Sequence, residues 1–457
     1  DDKRMKITQL NSATNIIEDS VNGYCVKILC DPWLKDEEYL GSWAMYPQYN
    51  FKPENFSDLD FIYISHIHPD HSSANTLSKL DKQIPVLIHN FPEKFLKDKI
   101  EGLGFKTIEV EHGIRTRLKN NIHVNIMAAD NCDPNVCGKI MGCGLSEVKF
   151  QTTQIDTMAV FDNGNQVIVN TNDCPFDIAK NTASIIKSAY RKVDVLLLGY
   201  VAASSWPHCY NLSESQKEEE ARKKQNAKLE TAKKYIEFLQ PKYYVPFAGR
   251  YTLCGKNAVL NPYRGEPELE DAHEWLRNNV DQEKHCGIIL NNDCWFDIDA
   301  GLANKNYVPI NKNEKKNYVN DVLSRKKMPY ENETIPLITE ILDLVPKAYE
   351  NFNKIRKKIG WVSDTTVILK TTNDDDLIIA ISCSGKGFKK ISSDDIKKYE
   401  QCMIISLDIR LLKWLLYGPD KAHWSDADLG SHLRYERIGS IYKRGLFYCW
   451  NHFSANV

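Results

Sequence analysis

The segment His66-Ile67-His68-Pro69-Asp70-His71 constrains this chain more than any other stretch of its sequence. It places four potential metal ligands within six residues, directly after the apolar run 61–64. Because a strand sends alternate side chains to the same side, His66 and His68 can converge on one ion. The turn at Pro69 lets Asp70 and His71 face a neighbouring position. The pattern predicts a metal centre at the end of a buried strand, and a polar loop with chance histidines is the alternative.

Short β-like runs alternate with polar turns between Met5 and Asp194, and a long helix follows them. Residues 213–240 are charged, with apolar residues spaced for one helical face, and Ser213 with Gln216 could form a capping box. A strand at 243–246 comes next. Strands that alternate with helices indicate a layered α/β fold. The predicted strands of the first part are 26–30, 61–64, 86–88, 167–169 and 193–199.

The polar, Lys/Asn-rich segment 304–332 predicts a linker between two domains. Residues 5–303 would form the metal-binding domain and residues 333–457 an accessory domain. In the second domain, 336–359 predicts a helix, 365–371 and 377–382 predict a hairpin, and 394–416 predicts a further helix.

Composition excludes several classes of partner. Lys and Arg (59) nearly balance Asp and Glu (61), so no basic excess favours nucleic acid. No run of about 18 apolar residues predicts a membrane span, and the polar start before Met5, the expected natural start, predicts no signal peptide. Thirteen cysteines without such a signal favour reduced thiols and a cytoplasmic location.

The His-x-His-x-Asp-His pattern after a strand resembles the signature of the metallo-β-lactamase superfamily. Further segments, in the same order over nearly the whole chain, resemble the CMP-N-acetylneuraminate hydroxylase family. The resemblance implies an α/β fold, a metallo-β-lactamase αββα sandwich with metals at one edge, and a C-terminal α+β accessory domain of sterol-carrier-like type. The segments that carry it are Asp31-Pro32-Trp33-Leu34, Gly41-Ser42-Trp43, Asn170-Thr171-Asn172-Asp173-Cys174, Pro246-Phe247-Ala248-Gly249 and Leu446-Phe447-Tyr448-Cys449-Trp450.

The resemblance also implies a ligand set. Asp173 matches the aspartate that bridges two metals, although an aspartate in a plain turn is the alternative. The loop Pro246-Phe247-Ala248-Gly249 lacks the histidine that many superfamily hydrolases carry there. The third ligand of the first metal would be Asp133, with His112 as the competitor. Two histidines and one carboxylate suit non-haem Fe(II).

Two features depart from the hydroxylase family, which carries a Rieske iron–sulfur domain before the metal-binding domain. The residues before Asp31 include Cys25 and Cys30 but no histidine, so we expect no Rieske domain here. The segment 137–154 looks inserted. With Cys132 and Cys174, its Cys137 and Cys143 could hold zinc or a small cluster, but reduced, unliganded thiols are the favoured interpretation.

Four residues are candidates for substrate binding. Arg250 and Arg264 could clamp a carboxylate or phosphate, and surface salt bridges are the alternative. Trp33 and Trp43 could wall a pocket, although buried core aromatics are favoured. The histidines outside the motif favour other roles, His208 as a loop residue and three more as packing or surface residues: His423, His432 and His452.

The sequence thus favours a metal-dependent enzyme with two metal ions, Asp70 and Asp173 being its catalytic residues. The first hypothesis is a non-haem diiron oxygenase or hydroxylase that acts on a small polar, anionic or nucleotide-sugar-like substrate. Its electrons would come from an external donor or from the substrate itself. The second is a zinc- or manganese-dependent hydrolase of a phosphoester, amide or lactone. A catalytically silent metal-binding protein is the third. A homodimer would fit any of them.

Overall fold

Two mixed β-sheets lie face to face in the first three hundred residues. The structure, a computed structural model, describes residues 4–91, 93–129, 156–373, 377–439 and 444–457. The first sheet has the order β17-β16-β1-β2-β3-β5-β6-β7 and the second has the order β15-β13-β12-β11-β10-β9-β8. The strands of the first sheet are β1 Arg4–Asn11, β2 Thr14–Val21, β3 Tyr24–Cys30, β5 Phe61–Tyr63, β6 Val86–His89, β7 Thr107–Val110, β16 Cys294–Asp297 and β17 Leu302–Ala303. Those of the second are β8 Thr116–Lys119, β9 Ile122–Ala128, β10 Thr157–Asp162, β11 Val167–Asn170, β12 Val195–Gly199, β13 Tyr243–Phe247 and β15 Cys286–Gly287.

Apolar side chains from the facing surfaces fill the space between the sheets. Ile7 pairs with Ile17 and Ile17 with Ile28 across β1, β2 and β3, so one row of isoleucines runs along the first sheet. Phe161 of the second sheet is fully buried and its ring meets that of Tyr63 edge-on at 5.6 Å. This alternation of inward and outward residues fixes the strand register, because a slip by one residue would turn the apolar set outward.

Helices cover the outer face of each sheet, which gives the order helix, sheet, sheet, helix. The longest, α4, begins after Ser213, whose side chain accepts from the backbone of Gln216 in the predicted capping box. Its buried residues, such as Leu229 and Ile236, pack on the second sheet. The helices are α1 Ala74–Leu77 and α2 Phe95–Gly102 on the first sheet, and α3 Phe176–Ala189, α4 Glu214–Leu239 and α5 Leu269–Asn279 on the second.

Most residues of the segment predicted as a linker are exposed or half-buried, but a few of its side chains pack into the interior. It contains helix α6, Lys312–Asp321, followed by two short 3-10 turns at Leu323–Arg325 and Pro329–Asn332. Met328 and Tyr330 are fully buried. The segment therefore lies against both parts of the chain. A two-stranded ribbon, β4 Trp43–Met45 with β14 Tyr251–Leu253, lies at the same junction.

The C-terminal part is built on a five-stranded sheet in the order β20-β19-β18-β21-β22. The predicted hairpin is confirmed as β18 and β19, and the first predicted helix as α7. The continuous helix predicted over 394–416 is wrong. A 3-10 turn at Asp394–Lys398 leads into strand β21, because its apolar side chains are buried against both faces of the sheet. The elements are α7 Ile338–Ile359, β18 Thr366–Thr371, β19 Ile378–Ser382, β20 Phe388–Ile391, β21 Cys402–Leu407, α8 Ile409–Tyr417, α9 Trp424–Leu429, β22 Arg434–Ile438 and α10 Arg444–Trp450.

Among the described residues, no helix combines the length and the apolar character needed to cross a lipid bilayer.

Replacing Phe161 by Ala tests the packing between the sheets. The change removes a fully buried ring, and we expect the free energy of unfolding to fall by about 3–5 kcal/mol. Chemical denaturation followed by circular dichroism measures it. Ile108→Ala, at a side chain that is 39% exposed in β7, is the control and should change stability by less than about 1 kcal/mol. Equal losses in both variants would contradict this account of the core.

Candidate metal centre

Four chain segments bring polar side chains to one edge of the sandwich. Strands β3 and β5 are parallel neighbours, and both end at this edge. Asp31 follows β3, and the segment 66–71 follows β5. In the second sheet, Asp173 follows β11, and Asp156 precedes β10, which runs antiparallel to β11. Because an antiparallel strand begins where its neighbour ends, Asp156 and Asp173 come together.

Two groups of candidate ligands share Asp173. One consists of His66, His68 and Asp173, and the other of Asp70, His71 and Asp173, with the ligand atoms of each group within 4.8 Å of one another. Asp173 Oδ2 lies 3.0 Å from His71 Nε2 and 3.6 Å from His66 Nε2. The structure therefore brings together five of the six predicted ligands, with Asp173 between the two groups. Asp133, the sixth, lies outside the described residues, as do Cys132, Cys137 and Cys143.

The residues fit bound cations. His71 Nε2 is buried and no oriented hydrogen bond satisfies it, although Asp70 Oδ2 lies only 3.2 Å away. Burial alone would lower the pKa of His71, but Asp173, Asp70 and Asp31 together raise it well above its usual range. This surplus of carboxylates favours positive charge at the place where the two groups meet. Metal ions would supply that charge and would take the free Nε2 lone pair.

Asp31, which sequence reasoning did not assign to the centre, orients both imidazoles. Its fully buried carboxylate accepts from the Ser65 backbone N–H at 2.7 Å, from Ser65 Oγ at 2.6 Å and from His71 Nδ1 at 2.6 Å. Since the Ser65 hydroxyl donates to Asp31, it accepts from His66 Nδ1, 2.8 Å away. Both rings are thereby held with Nε2 as the acceptor that faces the site. Such carboxylate–histidine pairs are the usual support of metal ligands.

Asp156 is the second residue that the sequence did not reveal. Its Oδ1 lies 3.3 Å from His66 Nε2, is buried and has no hydrogen-bond partner. Burial, with repulsion from Asp173, raises the pKa of Asp156 to about 7. Asp156 therefore offers a carboxylate next to the first group. His112, the competing third ligand, instead lies with its Nδ1 3.1 Å from His89 Nε2 and belongs to neither group.

Tyr39 forms a hydrogen bond with Asp70. Its buried hydroxyl donates to Asp70 Oδ1 at 2.6 Å, which leaves Oδ2 directed at His71. Tyr39, Leu40 and Gly41 are three consecutive residues in the left-handed region, with φ of 53°, 56° and 84°. This conformation is uncommon for residues other than glycine, so the loop must be held by its neighbours.

The predicted substrate-binding residues fall into two sets. Trp33 and Trp43 are core aromatics, and Trp43 stacks on Tyr251 with ring centroids 3.5 Å apart. Arg264 is buried in an ion pair with Glu266, so its guanidinium is already engaged. Neither tryptophan nor Arg264 lies free to meet a substrate.

Arg250 differs from Arg264. It is buried and donates to Asn292 Oδ1 at 3.3 Å, and within the described ranges no carboxylate lies within 4.0 Å of it. It follows β13, two strands away from Asp173 in the same sheet. For Arg250, substrate binding stays a prediction.

Of the other histidines singled out by the sequence, His208 and His432 are buried, His423 is half-buried and His452 is exposed. His208 Nε2 meets Ser431 Oγ at 2.7 Å in the interior, and His432 is buried as well. His423 caps helix α9, where its side chain accepts from the Ser425 backbone. Cys174 is a buried free thiol.

Comparison with known proteins gives distant relatives. No family model matches the chain. A candidate Rieske 2Fe-2S iron–sulfur protein of Mycobacterium tuberculosis is 25% identical over 252 residues, which are 54% of this chain and 44% of that protein. Cytidine monophosphate-N-acetylneuraminic acid hydroxylase of Danio rerio is 25% identical over 237 residues, 50% of this chain and 35% of that enzyme. The chain thus spans less than half the length of these two relatives.

Two solved structures are also similar in part. An isothiocyanate hydrolase from Delia radicum gut bacteria gives a TM-score of 0.43 at 12% identity, over 64% of this chain and 98% of that one. CmlA, a diiron β-hydroxylase from Streptomyces venezuelae, gives a TM-score of 0.39 at 15% identity, over 65% of this chain and 53% of that one.

The layers and the site together define the class of protein. Two sheets lie between layers of helices, and the His-x-His-x-Asp-His segment follows β5 at the edge where Asp173 also lies. This arrangement is the metallo-β-lactamase fold, as the sequence predicted.

The stability of the metal-free protein should fall as the pH rises from 6.5 to 8. Burial raises the pKa of Glu38 to about 8 and that of Asp156 to about 7, and the surrounding carboxylates raise that of His71. A group with a raised pKa in the folded state favours folding at low pH and loses that contribution as the pH rises through the folded value. We expect a loss on the order of 1 kcal/mol or more, measured by thermal unfolding in a chelator.

Two controls accompany this measurement. Asp156→Asn removes one titrating group and should flatten the curve, and saturating Zn²⁺ should reduce the decline because bound metal replaces the protons of Asp156 and His71. A metal-free protein whose stability rises over this pH range would contradict the proposed electrostatics of the site.

Proposed function

We propose that the chain is a dinuclear metalloenzyme whose ligand set favours iron and whose reaction is the oxygenation of a small polar substrate. The observation that carries the proposal is Asp156. Its Oδ1 lies 3.3 Å from His66 Nε2, and together with His66 and His68 it would give two histidines and one carboxylate, the set that suits non-haem Fe(II) with open positions. The sequence predicted such a set with Asp133 as its carboxylate, and Asp156 takes that role in the proposal.

The second ion would be held by Asp70 and His71, and Asp173 would be shared by the two ions. The segment 246–249, at the end of strand β13, has Phe247 and Ala248 in place of the histidine typical of zinc hydrolases. The centre is therefore richer in carboxylates and poorer in imidazoles than a zinc site, which favours a harder ion. Bound iron would supply the dioxygen chemistry.

The residues of the chain would hold and orient the reactants. Asp31 and Ser65 keep the Nε2 atoms of His66 and His71 directed into the site. Asp173, whose side chain is 39% exposed, is a carboxylate of the site that a substrate could reach from solvent. Arg250 would bind an anionic group of that substrate, since its guanidinium is buried and no carboxylate of the described residues lies within 4.0 Å of it. Electrons would come from an external donor.

The relatives support an anionic substrate. The relative from Danio rerio is named for a nucleotide-activated sugar acid, and a nucleotide-sugar-like substrate would carry phosphate and carboxylate groups suited to Arg250. This substrate class is part of the proposal.

A hydrolase is the second candidate, and Asp156 also supports it. A carboxylate 3.3 Å from the Nε2 of a metal ligand is placed to accept a proton from a metal-bound water, as a general base must. With zinc or manganese, the centre would activate a water molecule for attack on a phosphoester, amide or lactone.

Metal analysis of anaerobically purified protein tests the proposal. We expect two iron ions per chain and consumption of O2 in the presence of a reductant. Asp173→Asn should lose both ions, and Asp156→Asn should lose one, because each removes a predicted ligand. Asp177→Asn is the matched control: this nearby aspartate pairs only with Lys234 at 3.0 Å on the surface, so the metal content should not change.

Three outcomes would count against the proposal. Tightly bound zinc, with O2-independent cleavage of a phosphodiester, would favour the hydrolase. Unchanged metal content in Asp156→Asn would remove Asp156 from the ligand set. A protein without metal would overturn both candidates.

A further inference from the structure

The C-terminal part of the chain touches the loop that carries Tyr39. His432, which follows helix α9, places its Nε2 2.8 Å from the backbone oxygen of Tyr39. Since a carbonyl oxygen only accepts, Nε2 must carry the hydrogen. His432 Nδ1 then accepts from the hydroxyl of Tyr330, 2.9 Å away. One neutral tautomer of His432 therefore satisfies both contacts.

This tautomer is maintained over the whole practical pH range. His432 is 4% exposed, and burial lowers its pKa to about 3. Tyr330 is fully buried beneath it. Tyr330, a residue of the segment 304–332, thus fixes the position of His432 and of the N–H group that His432 donates to Tyr39.

The contact supports a backbone conformation that is uncommon for residues other than glycine. Tyr39, Leu40 and Gly41 are left-handed in succession, and the same loop is fastened by Trp43 Nε1, which donates to the Leu429 backbone oxygen at 3.0 Å. The fit is close: a Cβ on Gly430 would lie 2.7 Å from the Tyr39 oxygen. The segment 429–432 therefore clamps the loop from the other part of the chain.

We propose that His432 and Tyr330 are positioning residues of the metal centre, acting through the backbone of Tyr39 and its hydroxyl on Asp70. The contact series runs from Tyr330 to His432, to the Tyr39 carbonyl, and from the Tyr39 hydroxyl to Asp70 Oδ1. Its effect falls on the ion held by Asp70 and His71, because His66 of the other group is oriented separately by Ser65. The inference rests on the proposed dinuclear centre.

Calorimetric titration of the metal-free full-length protein with Zn²⁺ tests this relay. His432→Ala should weaken the second binding event by about 10- to 100-fold while the first is unchanged, as expected when the support of a ligand is lost. Tyr39→Phe should have the same effect. His432→Gln should restore much of the affinity, because its amide nitrogen can still donate to the Tyr39 oxygen.

The double variant His432→Ala/Tyr39→Phe distinguishes an effect that passes through Tyr39 from a general loss of stability. If His432 acts through Tyr39, His432→Ala should add little to the loss of affinity caused by Tyr39→Phe. Val345→Ala, at a fully buried position of α7, is the stability control: it should lower the unfolding temperature and leave both affinities unchanged.

The results that would overturn the relay differ from the result that would overturn the proposed metal centre. Two intact binding events in His432→Ala, full additivity in the double variant, or an equal loss in Val345→Ala would overturn the relay alone. A wild-type protein that binds no Zn²⁺ would overturn both the relay and the proposed centre.

Discussion

The buried carboxylate of Asp31 is the interaction on which the metal centre depends. An ionised group without solvent is costly unless hydrogen bonds compensate it, and Asp31 receives three, two from Ser65 and one from His71. Those bonds fix the Ser65 hydroxyl, which in turn fixes His66. A single carboxylate therefore determines the direction of an imidazole in each of the two ligand groups, and it does so from the interior of the first sheet.

The sandwich places this support opposite the carboxylates of the second sheet. Asp156 precedes β10 and Asp173 follows the neighbouring strand β11. Repulsion between the two carboxylates is part of what raises the pKa of Asp156. Such a concentration of acidic groups would destabilise an ordinary protein interior. Bound metal ions would neutralise these carboxylates. This need for positive charge is the physical reason to interpret the edge as a metal centre.

Sequence reasoning succeeded where the signal was local. The segment 66–71, the capped helix α4 and Asp173 each depend on a few adjacent residues. The structure confirms the capped helix and brings the side chains of 66–71 and Asp173 together. Asp156 and Tyr39 gave no local signal. Asp156 joins the site only because β10 runs antiparallel to β11, and Tyr39 only because a left-handed loop turns back towards Asp70. The helix predicted over 394–416 failed for a related reason, since a short apolar run such as β21 is compatible with either structure until its partner strand is known.

Anomalous X-ray diffraction from crystals of the iron-loaded protein tests the central claim most directly. The account predicts two iron peaks at the edge of the sandwich, one against His66, His68 and Asp156 and the other against Asp70 and His71, with Asp173 contacting both. A single peak, or peaks at other residues, would contradict it.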